Sequence, residues 1–245
     1  MIRVHHVAAS DILHVRVEPH GHAGVPFLNW RVAPRAVEER AGSGGDYVGA
    51  GLYGVCIDGA LAYVGSFLGS TPGVGRGRKL AGLAGDIVRA RWWQHVGSIT
   101  GRAHKLHVAP GTVLALESEF GGIHPMVQGL RAASPLLHRD AGCLGALGRL
   151  RWAATHFAGI RQADPARVLD RFSFVYARTA IMPAGASASS LAQAIRAAEK
   201  QVVGSHNLLI NDAGADSVRA VSRLSVADAS MLLRDELLHA IDRHA

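Results

Sequence analysis

The stretch GLYGVCIDGALAYVG, residues 51 to 65, constrains the fold more than any other part of the sequence. An Asp-Gly pair between two runs of apolar and aromatic residues is a strong short-range signal for a β-hairpin. Each of the two strands carries one tyrosine, Tyr53 before the turn and Tyr63 after it. The hairpin is therefore either an ordinary part of the core or one side of a functional site that both tyrosine side chains line.

The length of the turn decides whether the two tyrosines share a face of the sheet. A two-residue Asp58-Gly59 turn would offset the tyrosines by one position and place them on opposite faces. A three-residue loop, Ile57-Asp58-Gly59 with Gly59 in the left-handed region, would pair Tyr53 with Tyr63 directly. A shared site needs both rings on one face, so we predict the three-residue loop.

A helix is expected soon after the hairpin. Asp86 is a suitable N-cap for the segment IVRARWWQHV, because its carboxylate can accept the first free backbone N–H groups. Within this segment Arg91 and His95 stand four residues apart, which on a helix places them on one face.

Further along the chain, the sequence predicts a strand and then an amphipathic helix. RFSFVYARTA, residues 171 to 180, is rich in β-branched and aromatic residues and is typical of a strand. The helix that follows is expected to end at Gly204, with Glu199 at the margin of its buried face and Asn207 just beyond it. Its apolar stripe consists of Leu191, Ile195, Ala198 and Val202.

The remaining segments are predicted from periodicity alone. HVRVEP alternates and gives residues 1 to 46 a β character, and TVLALESEF, residues 112 to 120, is also expected to be a strand. We expect a helix over about 142 to 160 and a final helix over about 226 to 243.

The charge of the chain favours a polyanionic partner. The formal net charge is +7, and only three of the 26 basic residues are lysines. Arginine makes planar, bidentate contacts with phosphate. The glycine-rich segment SFLGSTPGVGRGRKLAGLAG lacks the residue order of a nucleotide-binding loop, so a basic loop on a nucleic-acid backbone is the better interpretation. Its basic residues are Arg76, Arg78 and Lys79.

The composition also bears on the compartment. Two cysteines, Cys56 and Cys143, do not make a disulfide framework or a zinc site by themselves, so a reducing, cytoplasmic setting is expected. The N-terminus has no basic segment followed by an apolar one, and no run of about twenty residues is apolar enough for a membrane span. We therefore expect no signal peptide and no membrane partner.

Taken in order, these features resemble the GIY-YIG nuclease family. GLY, nine residues and YVG match the hairpin that gives the family its name, and R-x3-H, a strand, a glutamate in AEKQVV and an asparagine in SHNLLIN follow in the family's order. The resemblance covers about residues 48 to 95 and 171 to 211. It implies an α+β fold with a small three-stranded antiparallel sheet flanked by helices.

The resemblance also implies how the whole chain is organised. We expect one endonuclease domain over residues 1 to 245, with an N-terminal extension over 1 to 47 and a large insertion over about 96 to 170. The insertion places Arg102 and Lys105 where they would contact DNA, together with Arg89 on the first helix.

The resemblance implies that several residues together catalyse hydrolysis of a phosphodiester bond, each with its own role. Glu199 would bind one Mg²⁺ (or Mn²⁺), Arg91 would hold the scissile phosphate, and Tyr53 would act on the attacking water. Tyr63 would position water or phosphate, and Asn207 would brace the site. His95, Arg91 and the metal are the candidates for lowering the pKa of the phenol. These roles are carried by residue types that match the family's motifs.

Alternatives remain open for both the residues and the function. Arg89 competes with Arg91, and Glu117 or Glu119 competes with Glu199. The preferred function is a type II restriction-type enzyme that cuts double-stranded DNA as a homodimer, because two-fold protein symmetry matches a palindromic site. A homing or DNA-repair nuclease and a non-catalytic nucleic-acid-binding module are the alternatives.

Overall fold

The computed structural model describes residues 2–17, 30–69, 82–101, 106–137, 143–211 and 223–244. The chain forms two compact units. The first unit comprises Met1–Ile12, Ala36–Trp92 and Arg171–Ala245, and the second comprises Leu13–Arg35 and Trp93–Asp170.

The described part of the chain contains both strands and helices. The strands are β1 Arg3–Ala8, β2 Leu13–Val17, β3 Trp30–Pro34, β4 Ala50–Ile57, β5 Ala60–Phe67, β6 Leu106–His107, β7 Cys143–Leu144 and β8 Phe172–Thr179. The α-helices are α1 Ala9–Ile12, α2 Trp93–Ile99, α3 Pro110–Phe120, α4 Pro125–Leu137, α5 Leu147–Thr155, α6 Phe157–Gln162, α7 Pro165–Leu169, α8 Ala188–Ser205 and α9 Val226–His244. A π-helical turn, Val88–Trp92, directly precedes α2. The expected α+β class is confirmed.

The first unit is built on one antiparallel sheet with the strand order β1-β8-β4-β5. The expected three strands are present as neighbours, with the hairpin strands β4 and β5 followed by β8 at 172 to 179. The expectation of a three-stranded sheet is wrong, because β1 pairs with the otherwise free edge of β8 in a register that opposes His5 to Tyr176. Part of the predicted N-terminal extension thus belongs to the main sheet.

The hairpin closes through two residues rather than three. Asp58 and Gly59 both have positive φ, 51° and 79°, and Ile57 pairs with Ala60. Two central residues with positive φ make a type I′ turn, whose twist suits antiparallel strands. The predicted three-residue loop is therefore wrong. The register is instead shifted by a β-bulge, which leaves Ala62 without a partner on β4.

One face of this sheet is covered by α8 and α9. α8 lies mainly over β5 and β4, whereas α9 lies over β8, β4 and β1. The predicted apolar stripe of α8 is buried in this core, together with Leu52 and Val64 of the hairpin and Leu233 of α9. Burial of this continuous apolar surface is the main favourable contribution to the stability of the unit.

The helix boundaries follow from capping. Ser187 caps α8 by accepting the backbone N–H of Ser190 at 3.0 Å, and the two side chains form a capping box. Gly204 lies inside α8 and has no positive φ, so the expected end of the helix at this glycine is wrong; the helix runs to Ser205. The final helix, expected over about 226 to 243, is confirmed as α9.

Aromatic rings pack on the opposite face of the sheet. Trp92 stacks on Phe174 with ring centroids 4.4 Å apart and planes inclined by 5°. Tyr176 and Tyr47 pack against the same indole in edge-to-face arrangements, with ring centroids 5.8 Å and 5.9 Å from that of Trp92. The π-helical turn is therefore fixed to this face by its last residue, which is fully buried.

The second unit contains two small two-stranded sheets and several helices. β2 pairs with β3 in antiparallel fashion, β6 pairs with β7 in parallel, and α3, α4 and α5 share an apolar core that includes Leu116, Leu130 and Leu150. TVLALESEF is not a strand but most of α3, which starts at Pro110. The stretch 142 to 160, expected to be one helix, contains β7, α5 and most of α6.

The two units divide the chain differently from the predicted N-terminal extension and insertion. Residues 13 to 35 of the predicted N-terminal extension belong to the second unit, as do residues 96 to 170 of the predicted insertion. Within the described part of the chain, no helix combines the length and apolarity needed to cross a bilayer.

Candidate functional site

The two hairpin tyrosines lie on the same face of the sheet. Tyr53 pairs with Gly65 and Tyr63 pairs with Val55, so the rings are diagonal neighbours. Their centroids are 6.1 Å apart, with planes inclined by 38°. The expected shared face is confirmed, but the direct pairing of Tyr53 with Tyr63 is wrong. The bulge at Ala62 restores the shared face that a two-residue turn alone would have removed.

Gly65 of the YVG sequence makes room for this pair of rings. A Cβ atom at position 65 would lie 2.6 Å from the Tyr53 hydroxyl oxygen and 2.9 Å from Cε1 of Tyr63. Real carbon atoms do not approach so closely, so a side chain here would displace a ring. The two rings differ in access, since Tyr53 is only 2% exposed whereas Tyr63 is half-buried.

Glu199 contacts the hairpin through the residue that follows YVG. The hydroxyl of Ser66 donates a hydrogen bond to Oε2 of Glu199, with the two oxygens 2.5 Å apart. Hydrogen bonds to an ionised carboxylate are short and strong. Glu199 is half-buried at the margin of the apolar stripe of α8, as its position in the sequence predicts. Two motifs separated by 133 residues thereby meet.

The site residues are nevertheless divided between the two faces of the sheet. Side chains alternate along a strand. Gly65 lies on the tyrosine face, whereas Ser66 pairs with Leu52 and lies on the face covered by α8. The fold brings Glu199 to the hairpin on the face opposite Tyr53 and Tyr63. β5 is the outermost strand of the sheet, so its outer edge borders both faces.

Arg91 belongs to the turn that follows Asp86. The Asp86 carboxylate accepts the backbone N–H of Val88 at 2.9 Å, which confirms it as an N-cap, and it also binds the buried guanidinium of Arg40 at 2.7 Å. Arg91 is half-buried and, among the described residues, forms no ion pair with a carboxylate. The competing Arg89 is exposed.

His95 does not continue the helix of Arg91 as the sequence suggested. Residues 88 to 92 are π-helical, and α2 begins only at Trp93. The one-face relation inferred from a spacing of four residues assumed a single regular α-helix. His95 is 5% exposed, within the second unit.

An asparagine braces the outer edge of the hairpin, at a position that the sequence did not single out. The Asn211 side chain accepts the backbone N–H of Val64 and donates to the carbonyl of Val64, both at 2.9 Å. The backbone of Ile210 also donates to the carbonyl of Ala62 at 3.0 Å. Asn207, the predicted brace, is half-buried just after α8.

The competing glutamates are engaged elsewhere. Glu117 accepts a hydrogen bond from Arg131 at 2.8 Å, and Glu119 accepts one from Arg151 at 2.7 Å. Both lie on α3 in the second unit, within a helix rather than at the expected strand end. Their carboxylates are neutralised surface groups, which makes Glu199 the better candidate.

Several predicted DNA contacts lie outside the described residues. These are Arg76, Arg78, Lys79, Arg102 and Lys105.

The donor set around Glu199 suits a hard cation that keeps its water. Among the described residues, no three His, Cys, Asp or Glu side chains come together as a metal-binding group. Zinc cages require such groups. Mg²⁺, in contrast, is commonly held by one or two carboxylates and retains several waters. A single carboxylate, hydrogen-bonded by Ser66, is the kind of protein ligand that Mg²⁺ accepts.

A second polar cluster, on the tyrosine face, is structural. The buried guanidinium of Arg178 donates to the carbonyl of Val48 at 2.7 Å and lies 3.8 Å from Asp46. Burial lowers the pKa of Arg178, and burial together with the charge of Arg178 lowers the pKa of His5. A cavity of about 350 Å³ borders His5, Asp46 and Asp11. This cluster ties the start of β4 to β8 and β1.

No family model, no curated protein and no solved structure matches this chain.

Proposed function

We propose that the protein is a metal-dependent DNA endonuclease of the GIY-YIG type. The observation that carries the proposal is the hydrogen bond between Ser66 and Glu199. The order of motifs along the sequence required a glutamate from a late helix to approach the tyrosine hairpin.

Each side chain has a role that follows from its surroundings. Glu199 would hold the Mg²⁺ ion (or Mn²⁺), whose chemistry when bound is to activate water and neutralise phosphate charge. Arg91, which has no carboxylate partner among the described residues, would bind the scissile phosphate. The phosphate would lie at the outer edge of β5 close to Ser66, because Ile210 and Asn211 already occupy that edge at Ala62 and Val64.

The exposure of the tyrosines refines their roles. Tyr63 is half-buried and is the ring with access to solvent, so it would contact the attacking water. Tyr53, at 2% exposed, would position Tyr63 by ring packing over Gly65. A phenol has a pKa near 10 in water and needs nearby positive charge to act as a base at neutral pH.

The substrate class follows from charge. A net charge of +7, carried mainly by arginine, favours a polyanionic substrate, and a nuclease of this type would take double-stranded DNA. We further propose a site-specific, restriction-type enzyme that acts in the cytoplasm as a homodimer, because two-fold symmetry would match a palindromic site.

A non-catalytic nucleic-acid-binding module is the second candidate. The burial of Tyr53 favours it, since a hairpin retained only for folding would also bury its tyrosines. The two candidates differ in whether phosphodiester bonds are broken.

Supercoiled plasmid, incubated with the purified protein and Mg²⁺, separates these functions. Wild-type protein should nick or linearise the plasmid, and EDTA should stop it. Glu199→Ala should lower the cleavage rate by about 100-fold or more while DNA retention in a gel-shift assay is kept, because a metal carboxylate supports the transition state rather than binding. Discrete bands indicate a restriction-type enzyme, and a smear indicates a nonspecific or structure-selective nuclease.

Glu236→Ala is the matched control. Glu236 is a half-buried glutamate on α9 of the same unit, and its replacement should leave the cleavage rate unchanged. DNA retention without any cleavage by the wild type would reject the nuclease and favour the binding module. Cleavage by Glu199→Ala at the wild-type rate would reject the assigned site.

A further inference from the structure

The charge distribution on α8 is one-sided. The helix has 18 residues, and Glu199 is the single acidic residue among them. Since that carboxylate is bound by Ser66, no acidic side chain remains for the solvent face of the helix. The exposed positions instead carry two basic residues, Arg196 and Lys200.

Neither basic residue is neutralised within the described part of the chain. Arg196 and Lys200 are exposed, and no described Asp or Glu lies within ion-pair distance of them. Glu199 would be the natural partner of Arg196, because side chains three residues apart face each other on a helix. The carboxylate turns instead toward Ser66 on β5. Two positive charges without a described carboxylate partner therefore stand beside the candidate catalytic carboxylate.

The helical geometry places both charges on one side of Glu199. Successive residues turn by about 100° on an α-helix. Measured from Glu199, Arg196 lies about 60° and Lys200 about 100° away, and both angles lead away from the buried stripe of Leu191, Ile195 and Val202. The basic pair therefore lies on the solvent side of the helix margin that Glu199 occupies.

The spacing of the pair suits a nucleic-acid backbone. Four residues of helix rise by about 6 Å. One strand of duplex DNA carries a phosphate about every 3.4 Å along its axis, so the pair spans about two phosphate steps. Exposed arginine and lysine side chains are long enough to adjust to that spacing.

We infer that Arg196 and Lys200 bind the phosphate backbone of double-stranded DNA next to the phosphate that is cut. This inference rests on the proposed function, because Glu199 marks the cut site. The pair orients the duplex along α8 and contributes affinity without reading bases.

The test measures the salt dependence of binding. Fluorescence anisotropy of a labelled duplex, titrated in EDTA at a series of KCl concentrations, gives the slope of log K against log salt. Arg196→Gln with Lys200→Gln should reduce the magnitude of this slope by about 2, which is about 1 for each phosphate that the variant no longer binds. The variant should also bind unrelated duplex sequences more weakly, and by the same factor. The affected residues are exposed, so circular dichroism should show an unchanged fold.

The matched control is Arg234→Gln with Arg243→Gln on α9. It removes the same net charge from exposed positions of the same unit, and should change the slope by less than half as much. Equal effects of the two double variants would show that only net charge matters, and would overturn the inference. An unchanged slope in the α8 variant would overturn it as well.

A cleavage assay of the same proteins separates this inference from the proposed function. If the wild type cleaves DNA and the α8 variant binds and cleaves as the wild type does, only the role of Arg196 and Lys200 is rejected. If the α8 variant shows the expected loss in salt slope but the wild type does not cleave DNA, only the proposed nuclease activity is rejected. Absence of DNA binding by the wild type rejects both.

Discussion

The helices α8 and α9 cover the same face of the same sheet, yet their exposed surfaces differ in kind. Both have fully buried residues in the shared core, such as Ile195 on α8 and Leu233 on α9. α9 carries acidic and basic side chains side by side, and Arg234 binds Asp235 at 2.8 Å. α8 has one carboxylate, which is turned onto the hairpin, and a basic solvent face.

The difference is relevant to the function proposed for α8. The buried stripes of the two helices make similar contributions and would be required in any protein of this architecture. A mixed surface such as that of α9 is typical of a helix that only needs to remain solvated. The margin and solvent face of α8 differ from this mixed pattern, and they carry the residues proposed to bind metal and DNA.

The largest stability effect should be the same for both helices. Ile195→Ala and Leu233→Ala each remove a fully buried side chain from the shared core, and should each lower the free energy of unfolding by about 2–5 kcal/mol. Urea denaturation followed by circular dichroism measures this change. A much smaller decrease for Ile195→Ala than for Leu233→Ala would show that α8 is not anchored as α9 is, and the comparison would fail.

A smaller effect is expected from the hairpin on which α8 rests. Gly65→Ala places a methyl group 2.6 Å from the Tyr53 hydroxyl oxygen, so the rings must move, at a cost of about 1–3 kcal/mol in unfolding free energy. Near-ultraviolet circular dichroism should report the displaced tyrosines.

Gly204→Ala on α8 is the control for added bulk. Nothing lies within 4 Å of a Cβ at this helical position, so the change should stabilise the protein by about 0.5–1 kcal/mol. If the free energy of unfolding of the Gly65→Ala variant equals that of the wild type, the packing described around the tyrosines is contradicted.

Local signals predicted the elements that carry the site. Asp58-Gly59 marks the hairpin, Asp86 marks the start of the next helix, and the spacing of Leu191 and Ile195 places Glu199 at a helix margin. Each of these features depends on residues close in sequence, which is why the residue pattern was sufficient.

Features that depend on distant residues were missed. The bulge at Ala62 has no residue signature, so the register of the tyrosines was predicted wrongly. The pairing of β1 with β8 joins residues far apart along the chain, and β-pairing depends on such tertiary context. Asn211 lies in an irregular segment without periodicity, and only its contact with Val64 shows its role.

One error came from a competing signal within a short stretch. TVLALESEF is apolar and partly alternating, which favoured a strand, but Pro110 at the first turn starts the helix α3. Short apolar runs do not distinguish strands from buried helices by periodicity alone. The same error led to the competing glutamates being placed at a strand end.

A double-mutant cycle on Ser66 and Glu199 tests the central claim most directly. The quantity measured is the single-turnover rate of plasmid cleavage with Mg²⁺. Glu199→Gln keeps a hydrogen-bond acceptor for Ser66 but removes the charge, and should slow cleavage by about 100-fold or more. Ser66→Ala removes a bond to a charged group worth about 1.5–3 kcal/mol, and should slow cleavage by about 10-fold or more.

The double variant decides the result. If Ser66 acts by holding Glu199, the double variant should cleave no more slowly than Glu199→Gln alone, because the two residues work as a unit. If the rate losses of the two single variants multiply in the double variant, Ser66 and Glu199 act independently, which would contradict the proposed active site. Cleavage by Ser66→Ala at the wild-type rate would contradict it as well.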